Sequence, residues 1–117
     1  MASVTIDREA FARRAEAPVL RKCKAALRAM YGDRLKGVIL YGSSARGDDA
    51  PESDIDLLVL LDGPVNVAAE IRRVWDELYP VQLECDREIS IRPAAADSYE
   101  RGESILFQNI REEGIAV

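Results

Sequence analysis

The sequence predicts an α/β (α+β) fold in which a small mixed β-sheet is covered by helices, with the element order α-β-β-α-β-α. Two observations carry this prediction. Short aliphatic runs bounded by glycine or polar residues are typical of buried strands, and the segments between them repeat apolar residues at the spacing of one helix face. With 117 residues the chain can build one hydrophobic core, so we expect a single domain over residues 1–117.

The first third of the chain is predicted to be helical. Its apolar stripe, at spacings of three and four, consists of Leu20, Cys23, Leu27 and Met30. Pro18 suits the first turn of this helix, so residues 7–16 form either a separate short helix or a portion kinked at the proline. Gly32, followed by Asp33, is predicted to end the helix.

Two apolar runs predict buried strands over residues 37–41 and Ile55–Leu61, the second ended by a turn over residues 62–64. Helical spacing resumes from Val67 to Leu78, and Pro80 is predicted to close that helix.

The last third of the chain is predicted to hold β structure and then helix. Residues 81–92 alternate like a strand, or like two strands around a turn at residues 86–87. Residues 94–113 are expected to be helical with an interruption near Gly102, and Ser104 and Gly114 are the expected N-cap and C-cap of the final helix.

Composition narrows the chemistry. The chain has no histidine, which excludes Ser-His-Asp triads, Cys-His pairs and histidine-ligated zinc. A net charge of −5 argues against general nucleic-acid binding. We find no apolar run long enough for a membrane helix and no signal peptide. Cys23 and Cys85 lack metal-type spacing and are expected to be reduced thiols, so we expect a cytoplasmic protein.

Two acids at the start of the second strand are the first candidate site. Side chains on a strand alternate faces, so Asp54 and Asp56 share one face while Ile55 turns to the other. Carboxylates this close repel one another unless a cation lies between them, and carboxylate oxygens favour Mg²⁺ or Mn²⁺. The bland alternative is that Asp54 caps a turn and Asp56 lies on a solvated edge.

A glycine-serine turn is the second candidate. Gly42 and Ser43 follow the first strand directly, and backbone amides in such a turn can form a nest for an anion. Arg46, three residues beyond Ser43, can offer its guanidinium to another phosphate oxygen. Taken alone, the turn is a weak signal that is most often only a loop, and it is not a P-loop.

The two candidates are joined by a defined interval, since ten residues separate Ser43 from Asp54. The resulting pattern, Gly42-Ser43-x10-Asp54-Ile55-Asp56, resembles the signature of the DNA polymerase β-like nucleotidyltransferase superfamily. The wider stretch LYGSSARGDDAPESDIDLLVLL is similar to its minimal nucleotidyltransferase (MNT) group. Residues 38–61 carry the specific resemblance, and the flanking elements agree in order and length.

The resemblance implies a polymerase β-like fold and transfer of a nucleoside monophosphate from an NTP, expected to be ATP, to a hydroxyl. It implies that Gly42 and Ser43 hold the triphosphate and that Asp54 and Asp56 bind Mg²⁺ or Mn²⁺ for two-metal catalysis. The family also uses a third carboxylate as general base and metal ligand. Glu88 is the best match, although the usual residue is aspartate, and Asp86 is the rival.

The resemblance also implies a partner. Members this small often work with a helical HEPN-type protein, encoded nearby, in what resembles a toxin–antitoxin pair, and some transfer AMP to a tyrosine of that partner. The alternative is a catalytically degenerate module that neutralises its partner by contact. If neither Glu88 nor Asp86 is catalytic, the protein would bind nucleotide without turning it over.

Overall fold

The structure, a computed structural model, describes residues 17–46 and 53–117, and its centre is a four-stranded sheet. Its strands, which lie in the order β3-β2-β1-β4, are β1 (Leu35–Tyr41), β2 (Ile55–Leu61), β3 (Ile89–Ala95) and β4 (Ile115–Ala116). Strand β1 runs antiparallel to both β2 and β4, whereas β2 and β3 are parallel. The predicted small mixed sheet is therefore confirmed.

Helices precede, connect and follow these strands. They are α1 (Ala17–Tyr31), α2 (Ser43–Arg46), α3 (Val67–Leu83), α4 (Ala96–Glu100) and α5 (Ile105–Glu113). A 3₁₀ turn at Gly32–Arg34 ends α1 as predicted, with Gly32 at a φ of +56°. The helix expected over residues 7–16 lies outside the described residues. Among the residues that are described, no helix combines the length and apolar character needed to cross a bilayer.

Helix α3 is longer than predicted. It continues through Pro80 to Leu83, so Pro80 does not close it, and the strand expected from residue 81 begins only at Ile89. Tertiary contacts hold the last turn. Val81 packs against the core, and the Gln82 side chain donates to the Arg87 carbonyl at 2.9 Å and accepts from the Ile89 amide at 2.8 Å.

The C-terminal part follows the prediction with two changes. Strand β3 extends to Ala95, where helix was expected, and β4 was not predicted because two residues carry no periodicity. The interruption at Gly102, with a φ of +62°, is confirmed. Both caps are confirmed, since Ser104 accepts from the Phe107 amide and the Gly114 amide donates to the Ile110 carbonyl.

The sheet is covered on both faces, and β2 contributes to each. One cluster joins the sheet to α1 and α3 through residues that include Leu20, Leu27, Ile55, Leu57, Val74 and Leu78. The other joins it to α4 and α5 through Leu58, Leu60, Ala94, Ala96 and Ile110. Because side chains alternate along a strand, Asp54 and Asp56 belong to the face of Leu58 and Leu60.

A buried carboxylate holds the end of the sheet where β1 begins. Glu70, 6% exposed, accepts from the Tyr31 hydroxyl at 2.7 Å and from Arg34 and Arg73 at 3.2 Å each. Burial alone would raise the pKa of Glu70, but the hydrogen bonds from Tyr31 and Arg34 and the charges of both arginines lower it overall. This network lies at the opposite end of β1 from Gly42.

Candidate metal and nucleotide site

The glycine-serine turn follows β1 directly. Gly42 has a φ of +74°, a left-handed conformation that glycine adopts without strain, and α2 begins at Ser43. The turn is closed by a hydrogen bond of 3.1 Å from the Ala45 amide to the Gly42 carbonyl. A Cβ placed on Gly42 would lie 2.6 Å from Oδ2 of Asp56. The turn therefore lies directly against the carboxylate of Asp56.

The second acid lies beside the first. Asp56 pairs with Tyr41 across β1 and β2, and Asp54 precedes β2 with its side chain on the same face. Asp54 is exposed and Asp56 is half-buried. Burial raises the pKa of Asp56, the negative charge of Asp54 raises it further, and Arg92 opposes both. The two acids and the turn thus meet at one solvent-reachable place.

Strand β3 contributes polar and charged side chains to the face of the sheet that carries Asp54 and Asp56. Ser90 is the residue in register with Asp56. Glu88, two residues before Ser90, lies beside Asp54, and its backbone carbonyl accepts from the Ile55 amide at 2.8 Å. The residue directly beside Asp56 is therefore a serine, and the carboxylate of Glu88 is exposed at the edge of this face.

Asp86, the rival third acid, lies toward a different space. It lines a cavity of about 330 Å³ together with residues of α1 and the α3–β3 loop, among them Val19, Lys22 and Cys85. Ile55, whose side chain points away from the Asp54 and Asp56 face, also lines this cavity. The register thus favours Glu88 over Asp86 as a neighbour of the two acids.

The donor set at the site is compatible with a hard cation. Carboxylate oxygens are the ligands that Mg²⁺ and Mn²⁺ prefer, and a cation that binds between two acids relieves the repulsion between their charges. Within residues 17–46 and 53–117, however, no three acidic, cysteine or histidine side chains form a group that could hold one metal ion. Glu88 therefore does not join Asp54 and Asp56 in such a group.

The remaining predicted residues lie at the same turn. Ser43 is the first residue of α2 and is half-buried. Arg46 is the last residue of α2, and its side chain lies outside the described part of the structure.

Two residues that the sequence did not single out connect the turn to the acids. Ser44, which is 0% exposed, donates through Oγ to the Asp54 carbonyl at 3.3 Å. Arg87 donates from Nη2 to Oγ of Ser44 at 2.5 Å and from Nε to the Ser53 carbonyl at 2.7 Å. The only signal in the sequence is the doubled serine after Gly42, because a contact between residues 44 and 87 has no local pattern.

Comparison with known protein families and sequences finds relatives of this chain. The sequence model of a family described as "Nucleotidyltransferase domain" matches residues 20–103. A segment of 37 residues is 54% identical to a candidate protein adenylyltransferase of Methanocaldococcus jannaschii. That segment is 32% of this chain and spans 37% of the archaeal protein, so the likeness concerns just over a third of that relative.

Solved structures share the fold. A candidate nucleotidyltransferase from Sulfolobus solfataricus superposes with a TM-score of 0.54 at 20% identity, covering 85% of this chain and 76% of that one. A mutant of the toxin–antitoxin MntA-HpeT gives 0.57 at 22% identity, with 84% and 70% covered. A toxin–antitoxin with AMP-PNP gives 0.54 at 20% identity, with 81% and 69% covered.

Proposed function

Because the chain belongs to the nucleotidyltransferase domain family, we propose that its 117 residues act as one metal-dependent domain that transfers a nucleoside monophosphate from an NTP, expected to be ATP, to a hydroxyl group. The observation that carries this proposal is the contact of the Gly42 turn with the Asp56 carboxylate, with Asp54 on the same face. An anion-binding turn and a cation-binding acid pair are the two parts that an NTP with its metal ions needs.

Each residue has a defined role in the proposal. Backbone amides at Gly42 and Ser43, with the Arg46 side chain, bind the triphosphate. Asp54 and Asp56 hold Mg²⁺ or Mn²⁺, which when bound neutralises charge on the reacting phosphate. Glu88 is the third carboxylate and accepts the proton of the acceptor hydroxyl. The acceptor oxygen then bonds to the α-phosphorus, while the bond between the α-phosphorus and the oxygen of the leaving pyrophosphate breaks.

The expected acceptor is a protein hydroxyl, such as a tyrosine of a helical HEPN-type partner encoded nearby. A relative named as a candidate protein adenylyltransferase supports a protein acceptor. Two structures that share the fold are toxin–antitoxin assemblies, which supports a partner chain. We place the reaction in the cytoplasm, where NTP and Mg²⁺ are abundant.

Label transfer tests the proposal. The protein is mixed with Mn²⁺ and ATP labelled at the α-phosphate, with and without the protein encoded next to it, and labelled protein is detected. We expect label on the partner and its loss when Asp54→Asn and Asp56→Asn are combined. Asp76→Asn, on an exposed face of α3, is the matched control and should keep transfer. Absence of label both with and without the neighbouring protein would overturn the proposal.

A second candidate function follows from Ser90. With a serine in register with Asp56 and Glu88 exposed, the protein would instead neutralise a partner by contact. Tyr79 and Leu83, which are 59% and 68% exposed and four residues apart on α3, supply apolar surface for such contact. If the double variant of Asp54 and Asp56 inhibits its partner as fully as the wild type, this second function is supported over transfer.

A further inference from the structure

Arg87 is the residue through which three separate segments meet. Its guanidinium donates to Ser44 in α2 and to the carbonyl of Ser53, just before β2. Its Nη2 also lies 3.5 Å from the carbonyl of Asp54. Arginine suits this position because its planar group offers several donors in fixed directions. One side chain thus bridges the turn and the approach to the acid pair.

Ser44 completes the connection from the other side. Its hydroxyl is fully buried, and it both accepts from Arg87 and donates to the Asp54 carbonyl. A buried hydroxyl that loses its hydrogen-bond partner destabilises the fold, so this arrangement resists separation. Since Ser44 is two residues from Gly42, and Asp54 is itself one of the acids, the contact fixes the distance between the two halves of the site.

Arg87 is itself held in place. The Gln82 side chain binds its carbonyl and the amide of Ile89, and the carbonyl of Glu88 pairs with the Ile55 amide. The backbone on both sides of Arg87 is therefore fixed by α3 and by β2. Because this backbone is fixed, the guanidinium of Arg87 can hold Ser44 and the Ser53 carbonyl in place rather than moving with them.

We propose that Arg87, acting through Ser44, is the positioning residue that sets the phosphate-binding turn against the metal-binding acids. This inference rests on the proposed function, and it assigns Arg87 no contact with substrate. Each half of the site keeps its own groups without Arg87: the amides of the turn still meet phosphate, and the carboxylates of Asp54 and Asp56 still meet metal. What depends on Arg87 is that the turn and the two acids contact one metal–nucleotide complex at the same time.

The physical consequence is a coupling between metal and nucleotide. In a correctly spaced site each ligand raises the affinity for the other by the same factor. Removing Arg87 loosens the spacing, so this factor falls while the affinity for either ligand alone is kept. A purely structural role would instead lower stability and weaken both single affinities together.

Calorimetry measures this factor in the full chain. A non-hydrolysable ATP analogue is titrated with and without Mn²⁺, and Mn²⁺ is titrated alone, for wild type, Arg87→Met, Arg87→Lys and Ser44→Ala. The matched control is Arg101→Met, because Arg101 pairs with Glu103 beyond the other end of β3. Thermal melting of each ligand-free variant is recorded, and titrations are run at a temperature where circular dichroism shows all of them folded.

In the wild type Mn²⁺ should tighten binding of the analogue. In Arg87→Met we expect the tightening factor to fall about tenfold, a coupling loss of ordinary size, while each single affinity stays within about twofold. Arg87→Lys, which keeps a positively charged donor group but loses the planar fork, and Ser44→Ala should lie between, and Arg101→Met should match the wild type.

The outcomes separate this inference from the proposed function. If wild-type protein binds the analogue in a Mn²⁺-dependent way and Arg87→Met and Ser44→Ala keep the full factor, the positioning role is wrong and the proposed function stands. If the wild type shows no effect of Mn²⁺ on the analogue, the proposed function fails and the positioning role fails with it.

Discussion

Replacing Gly42 by alanine perturbs the site at the contact from which the functional proposal starts. The added Cβ would lie 2.6 Å from Oδ2 of Asp56, and ordinary contact requires at least about 3.4 Å. The clash is with the end of a side chain, so the carboxylate can move aside while the fold persists. The carboxylate of Asp56 would then be displaced from its position against the turn.

Two costs can be separated. A φ of +74° costs an alanine about 1–2 kcal/mol, because its Cβ crowds the backbone in the left-handed region. That cost lowers the melting temperature by roughly 3–10 °C for a chain of this size. The displaced carboxylate adds a functional loss, and a misplacement approaching 1 Å can lower catalysis by about 100-fold.

Gly63 provides the matched control. It has a φ of +82°, and a Cβ there would meet nothing within 4 Å. Gly63→Ala should therefore show a similar fall in melting temperature with unchanged Mn²⁺ affinity by calorimetry. Gly42→Ala should show the same fall together with at least about tenfold weaker Mn²⁺ binding.

Either of two results would contradict this prediction. If Gly42→Ala binds Mn²⁺ as well as Gly63→Ala does, the carboxylate of Asp56 does not depend on the turn. If Gly63→Ala loses Mn²⁺ binding equally, the loss comes from backbone strain and not from the contact.

Three further predictions concern groups away from the site. Because the pKa of Glu70 is lowered, the stability that its carboxylate contributes is complete above the ordinary glutamate pKa and is lost as pH falls through the lowered value. Glu70→Gln should lower the free energy of unfolding by about 1–3 kcal/mol at pH 7 in urea melts, and this variant should lose less stability than the wild type on acidification. An equal loss of stability in acid for both proteins would contradict this prediction. Burial, with a smaller contribution from Cys85, raises the pKa of Cys23 to about 12. A thiol reagent at pH 8 should therefore label Cys85 in the native protein and label both cysteines only after unfolding. Rapid labelling of Cys23 in the native protein would be inconsistent with the structure. Ser104→Ala removes the bond to the Phe107 amide and should cost about 1 kcal/mol, and no change in the urea midpoint would show that this cap is not stabilising.

Local patterns predicted the parts of the fold that local forces determine. The two central strands, the stop of α1 at Gly32 and the caps of α5 follow from periodicity, glycine geometry and side-chain capping. The path of α3 through Pro80 did not, because contacts of Val81 and Gln82 with distant residues outweigh the proline. Strand β4 is fixed only by pairing with β1.

The candidate site divides in the same way. That Asp54 and Asp56 share a face follows from strand alternation, and the contact of Asp56 with Gly42 follows from their adjacent strands. The bridge from Arg87 to Ser44 joins residues 43 positions apart, and the register that puts Ser90 beside Asp56 needs the parallel pairing of β2 with β3. Both depend on tertiary structure, which a single sequence does not encode locally.

The most direct test of the account is electron paramagnetic resonance of Mn²⁺ in the presence of ATP. Free Mn²⁺ gives a six-line signal that broadens when the ion is held by protein and nucleotide together. We expect wild-type protein with ATP to remove free Mn²⁺ beyond what ATP alone removes, and the combined Asp54→Asn and Asp56→Asn variant to remove none beyond that level. Equal signals for the wild type and the double variant would contradict a metal and nucleotide site at these acids.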